Sequence, residues 1–78
     1  MVGKLIKLLD DKGFGFIAAE GKEYFLHRSE FSGHWNDLAD DFHARRDIYL
    51  EFDEDLSNSK GPRAAKAVRT DHPNQAQR

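Results

Sequence analysis

Seventy-eight residues with a formal net charge of −2 and no cysteine describe one small domain. The composition excludes a disulfide framework and a thiolate metal site. No apolar run is long enough to span a bilayer, and the start Met1-Val2-Gly3-Lys4-Leu5 lacks the apolar core of a signal peptide, so the expectation is a soluble, cytoplasmic, monomeric protein.

The charge is unevenly spread. Residues 1–33 carry five Lys/Arg against five Asp/Glu, residues 34–56 two against eight, and residues 57–78 five against one. A surface for a polyanion would use the outer thirds and turn the acidic middle away.

In chain order, Gly3 to Leu9 is apolar with lysines at 4 and 7 and too short for a stable helix, so it reads as a strand. Asp10-Asp11-Lys12-Gly13 follows as a turn. The second strand, Gly13 to Ala19, contains Phe14-Gly15-Phe16-Ile17. Alternation puts Phe14 and Phe16 on one face and Gly15 and Ile17 on the other. Glu20-Gly21-Lys22 is a tight turn into the third strand, Glu23 to His27, where Phe25 and His27 share one face and Tyr24 and Leu26 the other. The hairpin sets Phe14 and Phe16 beside Phe25 and His27.

Phenylalanine is a core residue by default. Both faces of this hairpin are apolar or aromatic, however, and the chain is too short to cover both with further layers. The aliphatic face (Ile17, Ala19, Tyr24, Leu26) makes the better core. That leaves Phe14, Phe16, Phe25 and His27 facing solvent, and an exposed aromatic patch marks binding. Flat rings with Lys12 at their mouth suit a single-stranded nucleic acid, which needs π-faces for bases and cations for phosphates.

Ser29 can cap one helical turn, and Phe31 is expected to plug the barrel bottom. The stretch 32–46 is a long connection in which Leu38 and Phe42 at i, i+4 predict a short helix. Asp47 to Asp53 alternates, with Ile48, Leu50 and Phe52 inward. A polar loop leads to Gly61-Pro62 and a fifth strand, Arg63 to Thr70. The domain spans 1–70, with a flexible tail at 71–78. Five short strands with one long connection between the third and fourth predict an all-β, antiparallel, five-stranded Greek-key barrel of the OB type.

Lys12-Gly13-Phe14-Gly15-Phe16-Ile17 resembles the first ribonucleoprotein motif of the cold-shock domain family, and Tyr24-Phe25-Leu26-His27 resembles the second. Gly3-Lys4 ahead and Lys60-Gly61-Pro62-Arg63-Ala64-Ala65 behind fall in the family's order. The resemblance implies binding of single-stranded RNA or DNA with low sequence selectivity, as an RNA chaperone or a regulator of transcription or translation, often in cold adaptation. It implies stacking on Phe14, Phe16, Phe25 and His27, with Lys4, Lys12, Lys60 and Arg63 along the phosphates. Where the family has Trp-Phe-Asn this chain has Lys7-Leu8-Leu9, so one stacking ring is replaced by a charge. Arg28 stands where an aromatic is common, and Trp35 matches the aromatic of the next loop across a gap.

Catalysis is not expected. His27, His34, His43 and His72 show no metal-ligand spacing and no recognisable triad, and neither a metal nor another cofactor nor a small-molecule substrate is implied. The rival reading is a small-barrel protein-interaction module that uses the acidic 37–41 stretch.

Overall fold

The computed structural model describes residues 1–57 and 61–70. Lys60 and the expected tail, 71–78, lie outside the described residues. Five strands are present, β1 (Val2–Leu9), β2 (Phe14–Ala19), β3 (Lys22–His27), β4 (Tyr49–Asp55) and β5 (Arg63–Thr70), with a 3₁₀ turn at Arg28–Glu30 and one helix, α1 (Trp35–His43). They close into a barrel in the order β1-β2-β3-β5-β4, and β4 pairs back to β1.

The sheet is mixed, which corrects the expectation of a wholly antiparallel one. The pairings β1–β2, β2–β3, β4–β5 and β1–β4 are antiparallel, and β3–β5 is parallel through Phe25 and Arg63. The reason is arithmetic. Strand directions around a closed ring of five cannot alternate all the way, so one neighbouring pair must run parallel. It falls where the contact is shortest, and Phe25 N–H donates to the Pro62 carbonyl at 3.1 Å to seal it.

The β2–β3 hairpin turns at Glu20 and Gly21, both at positive φ (52° and 79°). This is the pairing of signs that a two-residue turn needs to match strand twist. The strands then hold strict parity. Ile17, Ala19, Tyr24 and Leu26 are buried, as the alternation requires. They join Leu5, Leu8, Ile48, Leu50, Phe52, Ala64 and Ala67 in one core. The Tyr24 hydroxyl reaches the rim and donates to Glu54 Oε2 at 2.8 Å. Burial first, and then that carboxylate, push the phenol up from its ordinary value.

Two strands break parity. In β1, Leu5 pairs with Ile17 but Lys7 pairs with Phe16, so Ile6 is an extra residue, 42% exposed. In β5, Val68 pairs with Glu51 and Ala65 with Asp53, which leaves an extra residue beside Lys66 at φ 56°. These bulges bend the strands for closure and reset their inward residues to Leu5 then Leu8, and Ala64 then Ala67.

The 3₁₀ turn is capped by His27, whose ring nitrogen accepts from Ser29 N–H. Ser29 was the expected cap and is instead the donor. Phe31 packs against the core as a half-buried ring. Helix α1 buries Trp35, Leu38 and Ala39 on one stripe, with Phe42 against the core below them. Its outer side is tied to β5 through Asp41, which accepts from Arg69 at 2.7 Å and has Arg46 at 3.8 Å.

The Arg69 hydrogen bond holds the Asp41 carboxyl below its ordinary value of 3.8. A carboxylate with a lowered value in the fold stabilises it above the unfolded-state value and loses that contribution as pH falls through the folded one. Asp41→Asn is therefore expected to lower the urea midpoint at pH 7, by a margin that shrinks as pH falls through the folded-state value of the carboxyl, with denaturation monitored by Trp35 emission.

Candidate functional site

Register across the barrel face builds the site. One row runs Leu9, Phe14, His27; the next runs Lys7, Phe16, Phe25, Arg63; a third runs Lys4, Ala18, Glu23. Phe25 is the hub. Its ring centroid lies 5.3 Å from that of Phe14, 5.8 Å from Phe16 and 6.4 Å from His27, and the Arg63 guanidinium stands 5.2 Å from its centre. Phe14 and Phe16 meet edge to face at 6.1 Å. The three phenylalanines are half-buried and His27 is exposed. A groove of about 620 Å³ opens here, lined by Phe16, Glu23, Phe25, His27, Pro62 and Arg63 among others.

Local sequence explains how closely the strands of this face approach. At Gly15, on the inner side of β2, an added Cβ would stand 2.4 Å from the Lys7 carbonyl oxygen. Only glycine lets β1 approach this closely, and that approach carries Lys7 to Phe16. Gly13, at the turn, accepts from Arg28 N–H at 2.8 Å and so ties the 3₁₀ turn to the start of β2.

The expected site residues divide. Phe14, Phe16, Phe25, His27, Lys7 and Arg63 share the face. Lys12 is exposed in the β1–β2 turn and Arg28 at the end of β3. Lys4 is exposed at the far row, with its ammonium 3.3 Å from Asp47. Trp35 is a correction. It is 8% exposed and belongs to the core, with its ring 6.1 Å from Phe31, because position 35 opens the buried stripe of α1. Lys60 lies outside the described residues.

Two residues escaped the sequence reading. Glu23 lines the groove one rung from Phe25, and its odd-number parity with Phe25 and His27 was the signal. Ser29 holds the His27 ring, and its signal was spacing of two residues beyond the histidine. Asp55, in register with Arg63, is kept below its ordinary value chiefly by the Ser57 hydroxyl, and then by Ser57 N–H.

The arrangement offers π-faces, cations and one carboxylate. Among the described residues, no three His, Cys, Asp or Glu side chains gather as they would around a metal ion, and no helix is long and apolar enough to cross a membrane. Comparison of the chain with protein-family models finds no match, and comparison with curated proteins finds none.

Proposed function

We propose that the β1–β2–β3 face binds single-stranded RNA or DNA by base stacking, with low sequence selectivity, in the manner of the cold-shock family its motifs resemble. The barrel is read as the OB-type Greek key of that family. The role that follows is an RNA chaperone or a regulator of transcription or translation.

One observation carries the reading. Phe14, Phe16, Phe25 and His27 form a continuous ring cluster on the outer face of strands whose inner face already holds the core. Half-exposed phenylalanines cost solvation and gain little by packing only on one another, so a flat partner is their natural cover. Lys7 and Arg63 bracket the middle row of the cluster, where phosphates of a stacked strand would run.

Titration of labelled oligo-dT or oligo-U tests it. With Lys7, Lys12 and Arg63 as phosphate contacts, log affinity is expected to fall against log salt with a slope of about −2. Arg63→Ala is expected to reduce that slope by about 0.7. Lys7→Trp, which sets a ring beside Phe16 and removes one phosphate contact, is expected to reduce the slope by about 0.7 and, where salt already screens the lost charge, to raise affinity about tenfold, within the range of one base stack. No binding at low salt would reject the reading and favour a protein partner.

A further inference from the structure

His27 sits at the end of β3 and lines the groove, and one edge of its ring is hydrogen-bonded to Ser29. Ser29 N–H donates to Nδ1 at 3.1 Å, and the Ser29 hydroxyl lies 2.9 Å from the same nitrogen. A backbone N–H can only donate. The nitrogen that faces it must therefore present its lone pair, which puts the proton of the neutral ring on Nε2. Nε2 is on the far edge of the ring and meets no protein partner among the described residues.

We propose that Ser29 is a positioning residue for this face, fixing His27 as the Nε2–H tautomer so that the ring offers the ligand a donor edge as well as a stacking plane. The partner of that edge is an acceptor oxygen of the bound strand. The consequence for binding rests on the function proposed above; the assignment of the ring does not.

The surroundings agree with a held ring. Phe25 lies 6.4 Å away at a tilt of 33°, Phe14 is its cross-strand neighbour, and the charged groups lining the same groove are Glu23 and Arg63. Among the described residues Ser29 supplies the hydrogen bonds to the imidazole.

A double-mutant cycle separates positioning from structure. Ser29→Ala takes away the hydroxyl and keeps the backbone N–H, so it is expected to leave Nδ1 unprotonated and, by loosening the ring, to weaken oligo-dT binding about threefold, the size of one net hydrogen bond. In a His27→Ala background the same change is expected to do nothing, because the group it acts through is gone. Long-range ¹H–¹⁵N spectra of the free wild type, recorded at a pH where the ring is neutral, are expected to show Nδ1 unprotonated and accepting. An equal loss in both backgrounds, or a wild-type ring protonated at Nδ1, would overturn the assignment. Failure of the wild type to bind any oligonucleotide would overturn the proposed function instead, and the ring spectrum would still decide the role of Ser29.

Discussion

Phe25→Ala is expected to weaken oligo-dT or oligo-U binding more than any other single change on the barrel face. A base stacked on an aromatic side chain contributes about 1–3 kcal/mol, a loss of about one to two orders of magnitude in affinity. Phe25 stands at the centre of the cluster, in reach of Phe14, Phe16, His27 and Arg63. Its removal takes away one plane and unseats its neighbours, including the guanidinium that rests on it. Phe16→Ala, which leaves Phe14, Phe25 and Arg63 in contact, is expected to cost about tenfold. Val68→Ala serves as a control. It removes an exposed apolar side chain on the outer side of β5, 38% accessible, and is expected to leave binding unchanged. Fluorescence anisotropy in low salt reads all three. Equal affinities for Phe25→Ala and wild type would mean that the rings do not stack bases.

The largest effect on stability is expected from Gly15→Ala, a change of one methyl group. The new Cβ would meet the Lys7 carbonyl oxygen at 2.4 Å, with Leu8 Cδ1 at 3.1 Å and Leu8 Cα at 3.3 Å. Two of the three obstacles are backbone, and no rotamer change relieves them. Either β1 moves off β2 or the bulge at Ile6 is lost. Overpacking of this kind costs about 1–3 kcal/mol and occasionally more, and Gly15 belongs at the upper end because the sheet itself must open. A domain of this length has only about 4–12 kcal/mol in total. Gly21→Ala provides the contrast. There is open space around a Cβ at Gly21, and the only cost is its positive φ of 79°, about 1 kcal/mol. Urea denaturation is expected to rank wild type above Gly21→Ala and Gly21→Ala well above Gly15→Ala. Because Lys7 and Phe16 would separate, Gly15→Ala is also expected to bind oligonucleotides poorly while keeping every aromatic ring.

That comparison shows why the face was legible in the sequence. The phenylalanine–glycine alternation serves two purposes at once. The even positions of β2 supply the rings, and Gly15 supplies the inter-strand closeness that keeps them level with Lys7. Parity therefore separated buried from outward-facing residues on β2 and β3, where no residue interrupts it. It failed on β1 and β5. Ile6 and Lys66 are ordinary residues with no glycine or proline to mark a bulge, and an extra residue in a ladder is set by the partner strand rather than by its own chemistry. The parallel β3–β5 pair was likewise invisible locally, since it follows from closing an odd number of strands. Trp35 misled because a loop alignment across a gap ignores periodicity. With Leu38, Ala39 and Phe42 it forms a helical stripe, and that stripe faces inward.

The acidic middle third is also accounted for by placement. Asp41 is used at the helix surface, between Arg46 and Arg69, and Asp47 pairs with Lys4. Glu51 and Asp53 lie on the exposed side of β4, which in barrel order is separated from β2 and β3 by β1 and β5. Among the described residues, Glu23 is the carboxylate that lines the groove on the face carrying the rings.

The central claim is that bases stack on the β2–β3 rings, and intermolecular NOEs in a complex with a short oligo-U test it most directly. The account predicts contacts from base protons to the ring protons of Phe16, Phe25 and His27, with upfield shifts of those base protons from the ring currents. An oligonucleotide that does not bind in low salt, or one whose contacts fall elsewhere on the barrel and leave these rings untouched, would contradict it.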